Sequence, residues 1–397
     1  MRSFVQHIRS RLRPARLYVE WQFVRMCDAL LLFFLPLPVS KNSVLVIKLD
    51  AIGDLIVWLD VAKELRGLYP SRRITLYVND ICVELANKLP YWDEVIGVNV
   101  LKLRTPKYTA YRAHLLCSLR AEAFGTVIQP TYSREFLVGD SLVKASSARE
   151  RIGSVGDLYN MSLVQKNIAD GWYTQLLPAN QSSVSELERN AEFLRHLGKP
   201  MFAASLPIIP KLADLPSHLS IVKPYFILFP GAGWTGRQWP VNRYAELARQ
   251  LSRKHNLQAV ICGSKSDALL CQTLAETAGV TTFNLVGQTS LSEFVELVRG
   301  ASLLIGNETS AVHIAGAVNT RAVGILGGGH FGRFMPYAHM QGRITPESAV
   351  YPMPCFKCDW QCNLPHRVDG PMPCIERVTV ENVMQATERA MAIRKYS

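Results

Sequence analysis

The sequence predicts an α/β protein built from two parallel-sheet domains of similar size. Three observations carry that reading. From Ser43 onward, short β-rich apolar runs alternate with helix-compatible stretches, the rhythm of a parallel sheet with crossover helices. Over 202–224 the rhythm stops in a segment holding Pro207, Pro210, Pro216 and Pro224. A second alternating series then begins at Tyr225. The length of 397 residues agrees, since a domain takes roughly 150 residues.

Val44-Leu-Val-Ile-Lys-Leu49 reads as a buried strand and Leu55 to Leu68 as the helix after it. Ile74 to Val78, Glu94 to Val98 and Thr126 to Gln129 continue the first sheet. In the second half, strands are expected at Tyr225 to Phe229, Gln258 to Cys262, Thr282 to Leu285, Ser302 to Ile305 and Ala322 to Leu326. Helices are expected between them at Val241 to Lys254, Asp267 to Ala278, Leu291 to Gly300 and Thr309 to Val318. The expected domains are a basic and apolar arm over 1–42, a first domain over 43–205, a linker over 206–224, a second domain over 225–378, and a C-terminal helix over 379–397. Parallel sheets bind ligands beyond the carboxyl ends of their strands, so the expected active site is a cleft between the two domains.

Hydrophobic residues make up 48% of the chain and charged ones 19%, which excludes a disordered or low-complexity protein. Lys and Arg number 44 against 32 Asp and Glu, a net charge of +12 that points to an anionic partner: nucleic acid, phospholipid, a phosphorylated glycan or a nucleotide. Arg2, Arg9, Arg11, Arg13 and Arg16 precede an apolar stretch ending at Val39, whose uninterrupted run is 11 residues. A span needs about 20, and Arg25 and Asp28 interrupt the extension upstream. The pattern suits a helix lying in the interface of an anionic cytoplasmic leaflet, with Trp21 and Phe23 near the headgroups. A helix packed on the protein's own surface is the plainer reading.

Five constellations carry candidate chemistry. Lys48-Leu-Asp-Ala-Ile-Gly53-Asp54 lies at the end of the first strand, where Gly53 permits close approach and Asp54 is either a helix cap or a base facing the cleft. Pro230-Gly231-Ala232-Gly233-Trp-Thr-Gly236-Arg237-Gln-Trp239-Pro240 reads as a phosphate-cradling loop with a guanidinium donor, or as a structural turn stapled by Trp239. In Asn307-Glu308-Thr309-Ser310-Ala-Val-His313 a strand ends in polar residues that open a helix, fit for a diphosphate or ribose, with His313 a packing residue or a ligand contact. Gly324 to Gly332, with Gly327-Gly-Gly-His330, reads as another cleft loop. Finally, Cys355, Cys358, Cys362 and Cys374 fall within twenty residues. They admit structural zinc, an iron–sulfur cluster, reduced thiols or local disulfides, although the last gap of eleven residues is wide for a zinc site.

Together these motifs resemble glycosyltransferase family 9, the ADP-heptose:lipopolysaccharide heptosyltransferases, over about residues 43–390. Val44 to Asp54 is similar to that family's N-terminal signature. Pro230-Gly-Ala through Arg237-Gln-Trp239-Pro240 looks like its Pro-Gly…Lys-x-Trp-Pro element, and Asn307-Glu-Thr-Ser-Ala-Val-His313-Ile-Ala like its Asn-Asp-Thr/Ser-Gly-x-x-His-Leu-Ala motif. The cysteines followed by Val378-Thr-Val-Glu-Asn-Val383 are similar to its C-terminal segment.

The resemblance implies a GT-B fold of two Rossmann-like domains facing a cleft, and inverting transfer that needs no metal cofactor. It makes Asp54 the general base. Gly231, Ala232, Gly233, Arg237, Asp267, Glu308, Thr309, Ser310 and His313 fall to a nucleotide-diphosphate sugar such as ADP-heptose. Gly53 falls to a lipid-linked or lipopolysaccharide-core acceptor, and Arg134, Arg149 and Arg151 are candidates to contact its anionic groups, with solvated surface arginines the equal alternative. The enzyme would work peripherally on the inner face of the cytoplasmic membrane, with no nucleic-acid partner. Arg237 stands where the family has Lys, Glu308 where it has Asp, and Ser310 where it has Gly, so the donor pocket is altered on both sides. Two other classes share parts of this pattern: a nucleotide-sugar epimerase on the same fold, and a non-enzymatic module binding zinc and nucleic acid.

Overall fold

The computed structural model describes residues 20–180, 182, 185–219, 221 and 224–393. The chain divides into two compact units, one comprising residues up to 51, 65–179 and 192–200, the other comprising 52–64, 180–191 and 201 onward. Each unit holds one six-stranded sheet, and every pairing in both sheets is parallel.

The first sheet consists of β1 (Ser43–Lys48), β2 (Arg73–Asn79), β3 (Glu94–Val98), β4 (Thr126–Gln129), β5 (Glu150–Ser154) and β6 (Gln175–Leu177), in the order β3-β2-β1-β4-β5-β6. All six residues of β1 are buried, as a strand covered on both faces requires, and this is why it reads as a continuous apolar run. The second sheet consists of β7 (Tyr225–Phe229), β8 (Gln258–Ile261), β9 (Thr282–Asn284), β10 (Leu303–Asn307), β11 (Ala322–Ile325) and β12 (Glu347–Ala349), in the order β12-β11-β10-β7-β8-β9. Its first strand, β7, lies between β8 and β10. The connections from β7 and β10 therefore leave in opposite directions, which opens a crevice beyond their carboxyl ends.

Helices cover the second sheet through regular apolar stripes. In Val241–His255, Tyr244, Leu247, Ala248 and Leu251 recur at helical spacing and all are buried. Ser290 and Glu293 form a capping box at the start of Leu291–Gly300, and Thr379 and Asn382 form another at Val380–Ala392, the helix expected at the C-terminal end. The proline-bearing segment after Met201 is bonded to the second unit. Ile209 is fully buried and its N–H donates to the Ala317 carbonyl at 3.1 Å. Arg299 donates to the carbonyls of Ile209 and Pro210 at 2.9 and 2.8 Å.

A helix over 20–34 packs on the first unit. Asp28 and Arg112 form a bidentate ion pair at 2.8 and 2.6 Å, buried together. Trp21 meets the Phe136 ring edge to face at 5.4 Å and is 9% exposed. This corrects the expectation that Trp21 faces lipid headgroups: its position on the helix shares a side with Val24 and Asp28, and that side faces the protein. Phe23 lies on the other side and is exposed. Arg2, Arg9, Arg11, Arg13 and Arg16 fall outside the described residues. Among the described residues no helix is long and apolar enough to cross a membrane.

Candidate active site

The candidate site in the second unit is organised by Asn307, the last residue of β10. Its side-chain amide donates to the carbonyls of Pro230 and Gly231 at 2.7 and 3.2 Å, and its carbonyl oxygen accepts from the Trp239 N–H at 3.0 Å. One buried amide thus pins both ends of the Pro230–Trp239 loop. Trp239 is buried, and its indole N–H donates to the Val378 carbonyl at 2.8 Å, so the staple expected of it is present. Gly231 has no room for a side chain: a β-carbon there would stand 2.6 Å from the Asp267 carboxylate. Asp267 itself accepts from the Ser264 amide and hydroxyl at 2.8 and 2.6 Å. Ala232 is half-buried, and Gly233 faces open space.

Arg237 reaches from that loop to the end of β10. Its Nη2 donates to the backbone carbonyl of Glu308 and lies 3.9 Å from the Glu308 carboxylate. Both carboxylate oxygens of Glu308 are buried without a hydrogen-bond partner, as are Nε of Arg237 and the hydroxyl of Thr309. Buried polar atoms in that state are costly, and they gather here on the residues expected to hold a ligand. Burial pushes the Glu308 carboxyl up to about 7, with Arg237 pulling the other way. Thr309 is the N-cap residue of the helix Ser310–Ala317, whose positive end therefore opens beside Arg237.

His313, one turn into that helix, is buried and pairs through Nδ1 with the Tyr337 hydroxyl. Burial and the Arg237 charge lower its pKa to about 4, so the ring is neutral at pH 7. Gly53 lies against it. A β-carbon on Gly53 would stand 3.2 Å from Cδ2 of His313 and 3.7 Å from Cα of Ser310. Asp54 is the next residue, in the first turn of the helix Ile52–Leu68. The N-cap position of that helix belongs to Ala51, so Asp54 is not the N-cap residue. Gly53, Arg237, Glu308, Thr309, Ser310 and His313 are thereby gathered at one locality of the second unit.

The remaining expected residues lie elsewhere. Arg134 is 1% exposed, pairs with Asp140 at 3.5 Å and with Asp170, and stacks over the Tyr173 ring at 4.8 Å. Arg151 donates to the carbonyls of Trp172, at 2.6 Å, and Ala148. Both side chains are thus engaged within the first unit, whereas Arg149 is exposed. The four C-terminal cysteines are free thiols that line one small cavity with Trp360 and Gly328. Among the described residues no group of three or more His, Cys, Asp and Glu side chains is arranged to hold a metal ion.

Gly327, Gly328 and Gly329 form a seat for the cysteine-bearing loop. A β-carbon on Gly329 would stand 2.3 Å from the Trp360 ring, and one on Gly328 would stand 2.4 Å from that of Phe356. Trp360 also meets Trp234 edge to face at 5.7 Å and lies 5.6 Å from the Arg237 guanidinium. Trp360 and Tyr337 were not legible as site residues, because each arrives on a loop from a distant part of the chain. The one signal available was the glycine run itself.

Comparison with known proteins follows this geometry. The family model described as glycosyltransferase family 9 (heptosyltransferase) matches residues 170–363. Lipopolysaccharide heptosyltransferase 3 of Escherichia coli is 23% identical over 285 residues, covering 69% of this chain and 79% of that protein. Among solved structures, a family 9 glycosyl transferase from Veillonella parvula superposes with a TM-score of 0.65 at 16% identity, covering 89% of this chain and 97% of that one. The Escherichia coli heptosyltransferase WaaC with ADP-2-deoxy-2-fluoro heptose gives 0.63 at 17% identity, covering 87% and 99%.

Proposed function

We propose that this glycosyltransferase belongs to family 9, whose model matches residues 170–363, and that it moves a heptose or related sugar from ADP-heptose or a similar nucleotide-diphosphate donor to a lipopolysaccharide-core or other surface-glycan acceptor. In this reaction Asp54 takes the proton from the acceptor hydroxyl as that oxygen attacks the anomeric carbon. The bond to the diphosphate breaks, its electron pair leaves with the nucleotide, and the anomeric configuration inverts. The Arg237 guanidinium, the amides of the Gly231–Gly233 loop and the helix end at Thr309 and Ser310 stabilise the departing charge, so the transfer needs no divalent cation. His313, neutral at pH 7, binds as a hydrogen-bonding group. The relatives' names support the heptose and the lipopolysaccharide acceptor, and the WaaC complex supports the ADP-linked donor. An acceptor of that kind is presented at the inner face of the cytoplasmic membrane, where the enzyme would act.

The observation that supports the mechanism most is the seating of Gly53 on His313 and Ser310, because it brings the turn carrying Asp54 to the residues assigned to the donor. The deciding experiment is Asp54→Asn. Transfer should fall by about 10²-fold to 10⁴-fold while nucleotide affinity stays within a few-fold of wild type. Near-normal turnover in that variant would remove Asp54 from the mechanism.

A further inference from the structure

We propose that the exposed side of the helix over 20–34, continued by Leu37, is a docking surface for an anionic lipid bilayer and lies in its interface without crossing it. The inference draws on the proposed function only in expecting a lipid-borne acceptor, and its surface is argued from the helix itself. Phe23, Met26, Leu30, Phe33, Phe34 and Leu37 are each between 52% and 81% exposed. Their spacing of three and four residues sets those within the helix on one stripe. Between Met26 and Val39 the only charged residue is Asp28, and it is turned inward onto Arg112. The outer side is therefore both apolar and uncharged from Met26 to the end of the helix, while the inner side is anchored by a buried ion pair and by Trp21.

Residues 1–19 bring five arginines and no acidic residue, and Lys41 stands exposed just past the stripe. Cations flanking an uncharged apolar face match a surface with acidic headgroups above hydrocarbon. The uninterrupted apolar run is also too short to span: eleven residues in a helix would rise about 16 Å against a hydrocarbon core of about 30 Å.

The test uses the full chain sedimented with vesicles of phosphatidylcholine alone, or with about a third phosphatidylglycerol. Wild type should bind the anionic vesicles at least about tenfold more tightly than the neutral ones, and raised salt should weaken that binding. Leu30→Glu with Phe34→Glu should cost at least about tenfold in vesicle affinity while leaving the melting temperature and ADP affinity unchanged. Phe33→Ser with Leu37→Ser, an independent pair on the same stripe, should act alike. Arg9→Gln, Arg11→Gln and Arg13→Gln together should reduce the salt dependence. Absence of vesicle binding by wild type, or equal binding by all variants, would overturn the proposal. So would a wild-type dimer in lipid-free buffer that becomes a monomer in the glutamate variant. ADP binding separates the two readings, because its retention without vesicle binding leaves the transferase standing and its loss with vesicle binding does the reverse.

Discussion

Arg237 holds Glu308 by the backbone and faces it by the side chain: its Nη2 donates to the Glu308 carbonyl and stands 3.9 Å from the Glu308 carboxylate. Neither carboxylate oxygen has a hydrogen-bond partner, so the pair is a half-satisfied arrangement with capacity to spare. A diphosphate sugar that brings oxygens to Arg237 and hydroxyls to Glu308 would complete it. Arg237→Ala should therefore weaken ADP binding by about tenfold to a hundredfold, the worth of a charged hydrogen bond, measured by titration calorimetry. Arg237→Lys should recover part of that loss.

Glu308 and His313 titrate against each other. Burial raises the Glu308 carboxyl from 4.5 to about 7, so in that interval the folded protein holds a proton that the unfolded chain has lost, and this contribution to stability falls as pH rises. His313 is lowered from 6.5 to about 4, so there the unfolded chain takes up a proton that the folded protein refuses, and this contribution rises with pH. Each is worth up to about 3 kcal/mol. Their windows overlap between 4.5 and 6.5, where the slopes cancel. Melting curves across that range should show stability rising with pH in Glu308→Gln and falling with pH in His313→Asn, with wild type flatter than both.

Gly53→Ala tests the seating of the turn that carries Asp54. The new methyl group would press on the His313 ring at 3.2 Å and force it or the helix start to yield. Turnover should drop by about tenfold or more, as small misplacements of catalytic groups do. ADP affinity and the melting temperature should change little, and loss of ADP binding instead would mean that the glycine serves the donor side alone.

Asp28→Asn leaves Arg112 buried opposite a neutral amide. Breaking one partner of a buried ion pair costs about 3–5 kcal/mol, partly relieved here because Arg112 also donates to the Leu103 and Leu137 carbonyls. The expected result is a lowered melting temperature and early proteolytic release of the segment before Ser43. An unchanged digestion pattern would show the helix to be held by its apolar contacts alone.

Most strands of both sheets could be read from the chain to within a residue or two, because strands buried on both faces are unbroken apolar runs between turn signals. Three were missed, and the reason is local. β5 is Glu-Arg-Ile-Gly-Ser, β6 is only Gln-Leu-Leu, and β12 is Glu-Ser-Ala, so none offers an apolar run of useful length. The residues of the candidate site were legible as motifs, but their engagement was not. Nothing in the sequence around Arg134 announces that Asp140 and Asp170 close on it. The inward turn of Trp21 likewise depends on Phe136, more than a hundred positions away.

The seat that Gly327 and Gly329 provide for Trp360 has an optical consequence. This indole rests on bare backbone on one side and has the Arg237 guanidinium 5.6 Å from its ring on another. A cation beside an indole shifts and quenches its emission, and a nucleotide that engages Arg237 would redistribute that charge. Trp360 is thus a native fluorophore set between the thiol-bearing loop and Arg237. On the proposed reading, its emission would register a nucleotide that engages Arg237, as well as modification of the neighbouring cysteines, without any label being introduced.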